Sequence, residues 1–189
     1  MEIYIMRHGE PNVLKLLNKI NSNEFLECLK IYNTCGLLDA SIPNDAMIEQ
    51  FKDFGAIVTS DLKRSIDSAA LISSQNSLII DPMFREIDDS FISIPIVKLR
   101  PKTWGNIFIL LWLIGMFELK KAFREGKIRA RHCAEKLVRL AEEHEKVLFV
   151  GHGFINTYIA RELKALGWSG PKLPSKRYWD YGVYQKSNN

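Results

Sequence analysis

The chain has 189 residues and a mass of 21.8 kDa, which predicts one domain spanning 1–189 with room for an insertion. Hydrophobic residues at 47% and charged residues at 25% exclude a disordered, collagen-like or disulfide-scaffold chain. With 26 basic and 22 acidic residues the net charge is +4, which suits an anionic small ligand and gives no argument for nucleic acid as a partner.

The first element in chain order is Glu2 to Met6 (EIYIM), a β-rich run ending at a glycine-containing loop, and it reads as a buried strand. Phe25, Leu26, Leu29 and Ile31 fall near helical spacing and predict a helix over Asn23 to Tyr32. Pro43 announces a second, short helix with Asn44 or Asp45 as its cap. Ala56 to Thr59 is the next strand, and Leu62, Ile66, Ala69, Ala70 and Ile72 form a helical face after it. Leu78 to Ile80 is a third strand, stopped by Asp81-Pro82. From Arg85 to Thr103, with Pro95 and Pro101, no period is sustained and the chain reads as irregular. Two helices are then expected, from Trp104 to about Arg124 and from Lys127 to about His144, with Gly126 as the break. Val147 to Val150 is a fourth strand, Gly151-His152-Gly153 opens a helix to about Leu166, and the alternating tail RYWDYGVYQK fits an edge strand.

Cys28, Cys35 and Cys133 are odd in number with no C-x-x-C spacing, so they read as reduced thiols of a cytoplasmic protein. The opening MEIYIMRHGE has no signal-peptide pattern. From Ile107 to Phe117 the chain is uncharged, but a spanning helix needs about 20 apolar residues, so a core or lid helix is expected. Because Lys98, Arg100, Lys102, Lys120 and Lys121 flank the run, membrane-surface contact through 107–117 is the alternative.

Apolar strands alternating with helices imply an α/β fold: a three-layer sandwich with a mostly parallel central sheet flanked by helices. In such sheets the ligand lies beyond the carboxyl ends of the strands. Arg7, His8 and Gly9 follow the first strand; Ser60, Asp61 and Arg64 the second; Arg85, Glu86 and Asp88 the third; Gly151, His152 and Gly153 the fourth. Each strand thus delivers groups able to do chemistry. Arginine forks match phosphate oxygens, and glycines with a helix N-terminus allow an anion to approach. A histidine hydrogen-bonded at one ring nitrogen offers the other as a nucleophile, and a carboxyl of raised pKa can protonate a leaving group.

Arg7-His8-Gly9-Glu10 resembles the Arg-His-Gly signature of the histidine phosphatase superfamily, the phosphoglycerate mutase-like proteins. The segment from Ser60 to Ala69 is similar to that family's Ser-x-Leu-x-Arg-Ala-x-x-Thr-Ala stretch, with Ser65 and Ser68 in place of alanine and threonine. Phe84 to Asp88 resembles the segment supplying the family's acid, and Val150 to Gly153 its second histidine motif. The resemblance implies a metal-independent phosphoric monoester hydrolase without cofactor, acting on small phosphorylated substrates. It implies His8 as nucleophile, Glu86 as acid, and Arg7, Arg64 and His152 as catalytic phosphoryl ligands, with Gly9, Asn12 and Gly153 also at the phosphate. Asn12 enters because Leu14 stands where many members carry a phosphate-binding asparagine, and Asp88 competes with Glu86 for the acid role. Residues 91–127 match no motif and read as an apolar helical lid insertion, in which Phe108, Leu111, Trp112 and Met116 could face the cleft.

The alternatives are a phosphoglycerate mutase-type phosphotransferase, a phosphohistidine or other phosphoprotein phosphatase, a binding protein that has lost catalysis, and a metallohydrolase. The last lacks any HxH, HExxH or CxxC spacing. The substrate and the oligomeric state are not legible in the sequence.

Overall fold

Strand alternation builds the core on both faces of one sheet. The computed structural model describes residues 1–13, 18–73, 78–87, 96–113 and 117–186, without the side chains of 108–109, 111–113 and 117–123. Its strands are β1 (Glu2–Arg7), β2 (Ala56–Thr59), β3 (Leu78–Ile80), β4 (Lys146–Gly151) and β5 (Tyr181–Gln185). Its helices are α1 (Ser22–Thr34), α2 (Asp45–Phe51), α3 (Lys63–Ala70), α4 (Pro101–Leu113), α5 (Phe117–His144) and α6 (Gly153–Ala165).

The sheet order is β3-β2-β4-β1-β5. The first four strands run parallel, and β5 is added antiparallel to β1 as an edge. Ile3 and Ile5 of β1, Val58 of β2, and Val147 and Phe149 of β4 pack on one side with Ala134 and Leu137 of α5 and Ile155 and Ile159 of α6. The intervening Met6, Ile57, Leu148 and Val150 pack on the other side with Phe51 of α2 and Ala69 of α3. This period-2 division makes the three layers. A smaller cluster of Ile20, Phe25 and Trp104 joins α1 to α4, with the Trp104 indole donating to the Ile20 carbonyl at 2.7 Å.

Local signals set most boundaries. Asn44 caps α2 by accepting from the Met47 N–H at 2.8 Å, and Asn21 with Glu24 forms a reciprocal capping box on α1. Two expectations need correction. The helix expected from Trp104 begins at Pro101, because proline is pre-set for the first helical turn. Gly126 does not break a helix: it lies inside α5, which runs from Phe117 to His144, and is buried. A Cβ on Gly126 would stand 3.0 Å from Ile87 Cγ2, so the glycine serves close packing of α5 on the chain after β3.

The parallel register fixes where function can sit. Arg7 is opposite Gly151, and Thr59 is opposite both Val150 and Ile80. The residues that follow these strands therefore emerge along one edge of the sheet.

Candidate active site

His8 leaves β1 with its backbone N–H on the Gly151 carbonyl at 3.0 Å, and its side chain is 1% exposed. Its Nδ1 lies 2.7 Å from the Gly9 carbonyl oxygen. A carbonyl can only accept, so Nδ1 carries the proton and Nε2 presents a lone pair. Nε2 faces Arg64 Nε at 3.3 Å. Burial, and then the Arg64 and Arg7 charges, hold the His8 pKa down at about 3 against the opposing Gly9 bond, so the ring is neutral at neutral pH.

Arg64 comes from the first turn of α3 and is also 1% exposed. Its Nη1 donates to the Tyr32 carbonyl at 2.7 Å, and its guanidinium lies 4.2 Å from the centre of the Tyr32 ring. One turn on, the Ser68 hydroxyl donates to the Arg64 carbonyl at 2.7 Å and accepts from the Gly9 N–H at 2.9 Å. It ties the loop after β1 to α3.

Arg7 is held from the chain before β5. Its guanidinium donates to the Lys176 carbonyl and lies 4.4 Å from the centre of the Tyr178 ring. The Tyr178 ring is itself 5.7 Å from that of His8. Trp179, with φ of 62°, donates its backbone N–H to the Arg7 carbonyl, and a Cβ on Gly9 would stand 2.5 Å from its indole. Gly9 thus admits the indole, while its own N–H and carbonyl are taken by Ser68 and His8. Arg7 Nε is buried without a hydrogen-bond partner among the described residues.

His152, the N-cap of α6, is 1% exposed, and its ring centre lies 5.1 Å from that of His8. Its Nε2 is 2.7 Å from the Ser60 hydroxyl, whereas Nδ1 is buried and unpartnered among the described residues. Burial, and then His8, Arg64 and Arg7, push its pKa well below the usual histidine range.

Glu86 joins the cluster through α6. Its carboxylate accepts from the Phe154 N–H at 3.1 Å, the Ile155 N–H at 2.9 Å and the Ile87 N–H at 3.0 Å. These bonds and Arg64 favour the anion, but burial outweighs them and the pKa is raised. Gly153 sits beside this carboxylate, its would-be Cβ 3.8 Å from Oε2. Arg7, Arg64, Glu86 and Tyr178 all act electrostatically on Tyr32.

Five expected residues, Arg7, His8, Arg64, Glu86 and His152, are thus gathered, with Gly9 and Gly153 beside them. Asn12 is exposed, held by its backbone N–H to the Gly36 carbonyl at 2.9 Å, and no described contact brings its side chain to the histidines. Leu14, Asp88 and Met116 and the side chains of Phe108, Leu111 and Trp112 lie outside the described residues. Asp61 is taken up in a two-bond pair with Arg85, both bonds 2.6 Å. Tyr32, Tyr178 and Trp179 were missed as site residues, since nothing local in their segments marks a long-range contact. Among the described residues no three His, Cys, Asp or Glu side chains gather as metal ligands, and no helix is long and apolar enough to cross a membrane.

Comparison with known proteins bears on the fold and the family. Among solved structures, phosphoserine phosphatase from Entamoeba histolytica, in complex with 3-phosphoglyceric acid, is similar with a TM-score of 0.60 at 17% identity, over 87% of this chain and 80% of that one. An open-reading-frame product of Mycobacterium tuberculosis is similar with a TM-score of 0.59 at 14% identity, over 96% and 89%. At such identities these likenesses speak for the fold. No curated protein sequence matches the chain. The sequence model described as "Histidine phosphatase superfamily (branch 1)" matches residues 45–176, which include Arg64, Glu86 and His152 but begin after His8. Since that match covers most of the chain, the protein belongs to branch 1 of the histidine phosphatase superfamily and is a histidine-phosphatase-type hydrolase.

Proposed function

We propose that the protein hydrolyses phosphomonoesters through a phosphohistidine on His8, without a metal. The observation that carries this reading is the Nδ1–H bond from His8 to the Gly9 carbonyl, which leaves Nε2 unprotonated beside Arg64 in a buried cluster. Two buried nitrogens of the same cluster, Arg7 Nε and His152 Nδ1, have no partner among the described residues, and phosphoryl oxygens supply the acceptors they need. For His152 this requires the proton on Nδ1, with Nε2 accepting from the Ser60 hydroxyl.

In the first step the Nε2 lone pair of His8 forms the P–N bond as the P–O bond to the leaving group breaks. Arg64 exchanges its long contact with Nε2 for a phosphoryl oxygen, and Arg7, Arg64 and His152 stabilise the charge spread over the equatorial oxygens. Glu86 gives its proton to the departing alkoxide. Burial already raises its pKa, and an incoming phosphate dianion raises it further. In the second step water attacks phosphorus, its proton passes to the Glu86 carboxylate, the P–N bond breaks with its electron pair returning to Nε2, and inorganic phosphate leaves.

Small phosphorylated acids are a fitting first panel, since a structural neighbour was crystallised with 3-phosphoglyceric acid. His8→Ala should abolish turnover of p-nitrophenyl phosphate and remove an acid-labile, base-stable phosphoenzyme that wild type forms on rapid quenching. Retained turnover in His8→Ala ends the proposal. Release of free phosphate from a phosphoglycerate, against interconversion of its isomers, separates hydrolysis from mutase activity.

A further inference from the structure

Glu86 is held at its carboxylate by α6, but its main chain is held by a different helix. Arg129, on α5, donates from Nη1 to the carbonyls of Met83 at 3.1 Å and Arg85 at 2.6 Å, and from Nη2 to the carbonyl of Glu86 at 2.9 Å. One guanidinium therefore closes over three carbonyls within the four residues from Met83 to Glu86. It does not stand alone. Lys136 Nζ reaches Asp81 Oδ2 at 2.6 Å, Cys133 Sγ donates to the Met83 carbonyl at 3.3 Å, and Gly126 backs directly onto Ile87.

Positions 126, 129, 133 and 136 have the spacing of one helical stripe. Along that stripe the chain from Asp81 to Ile87 is fastened in reverse order, from Lys136 down to Gly126. Lys136 grips a side chain and Gly126 only makes room, so Arg129 is the member that acts on the backbone of Glu86 itself. The fork is needed for this: a lysine presents one nitrogen, and an aliphatic chain presents none.

We propose that Arg129 is a positioning residue for the acid step, fixing the main chain of Glu86 so that its carboxyl reaches the leaving-group oxygen. This rests on the reading of Glu86 as the acid. Proton donation matters most when the leaving group is a poor one, so a misplaced acid penalises alkyl phosphates and spares esters of acidic phenols. A purely structural clamp has no such selectivity.

The test compares kcat/KM for p-nitrophenyl phosphate and for an alkyl phosphate in wild type, Arg129→Met, Arg129→Lys, Glu86→Gln and the double variant Glu86→Gln with Arg129→Met. Arg129→Met should lose roughly 10-fold or more on the alkyl ester and much less on the aryl ester, with Arg129→Lys between it and wild type. In the Glu86→Gln background, removing Arg129 should cost little more, since the group it positions is already gone. Equal losses on both esters, or losses that multiply with those of Glu86→Gln, overturn the proposal. If Arg129→Met does not fold by circular dichroism, the selectivity of Arg129→Lys decides in its place. Should Glu86→Gln itself show no selectivity between the esters, the acid reading of Glu86 falls, and the positioning proposal falls with it.

Discussion

Lowering the pH from 7 to 5 tests the buried neutral state of His8. In the unfolded chain a histidine titrates near 6.5, whereas in the fold His8 takes a proton only near pH 3. Its folded pKa is depressed, so the stability it contributes is complete above 6.5 and is lost as the pH falls from there toward 3. The slope for one proton is about 1.4 kcal/mol per pH unit, which gives a loss of about 2 kcal/mol between pH 6.5 and 5. Glu2, Asp61 and Asp81 have lowered carboxyl pKa values, and their contributions fade mainly below that window. Glu86 has the opposite sign: its raised pKa favours the folded state as the pH falls toward 4.5. His152 adds a loss in the same direction as His8. Comparison with His8→Asn isolates His8, because asparagine can still donate to the Gly9 carbonyl and does not titrate. Urea unfolding in phosphate-free buffer at pH 7, 6 and 5 should show wild type losing about 2 kcal/mol more than His8→Asn across the range. Equal losses in the two proteins would refute the assignment of His8 as a buried neutral imidazole.

Two further substitutions probe the frame around the site. Ser68→Ala strands the buried Gly9 N–H and should cost about 1–3 kcal/mol of stability, while lowering kcat because the loop carrying His8 loses its tie to Arg64; an unchanged urea midpoint and kcat contradict the tie. Gly151→Ala places a Cβ 2.3 Å from both Asn156 Oδ1 and Phe149 Cζ, neither of them a flexible chain end, and Asn156 already donates to the Met6 carbonyl at 2.8 Å. Overpacking there should cost about 1–3 kcal/mol or more, read as a lower unfolding midpoint.

What could be read without coordinates was what local chemistry determines. The strands Ala56–Thr59 and Leu78–Ile80, the Asn44 cap and the order of charged groups after each strand all follow from apolar runs and turn residues. A parallel sheet delivers its carboxyl ends to one edge, which put Arg7, His8, Arg64, Glu86 and His152 among a wider group of strand-end residues, and the resemblance to the histidine phosphatase superfamily picked these five out. What was illegible depends on contacts between distant segments. Gly126 carries the same local signal whether it breaks a helix or admits Ile87. Tyr178 and Trp179 lie in an aromatic tail whose alternation suggested only an edge strand, and the strand begins after them at Tyr181. Tyr32, at the end of an ordinary amphipathic helix, becomes a site residue only when α3 brings Arg64 to its carbonyl and ring face.

These long-range contacts share one electrostatic logic. Among the described residues neither Arg7 nor Arg64 forms an ion pair with a carboxylate. Each instead donates to a main-chain carbonyl and rests on a tyrosine face. Carbonyl dipoles and aromatic quadrupoles orient a guanidinium without cancelling its charge. A carboxylate partner would orient it equally well but would compete with an incoming anion. Both histidines are kept neutral by burial and by those same charges, so among the described residues the site holds two cations without a carboxylate ion pair beside the unprotonated Nε2 of His8. Charge balance then falls to the ligand. In the proposed reaction a phosphoryl dianion supplies it, and arginines oriented before it arrives meet the condition under which electrostatic stabilisation is most effective. Glu86 is the one carboxylate of the five, and burial raises its pKa against that of an exposed acid. In the proposed reaction Glu86, held on the N–H groups of α6, leaves the arginine charge to the phosphoryl group and delivers its proton to the leaving oxygen.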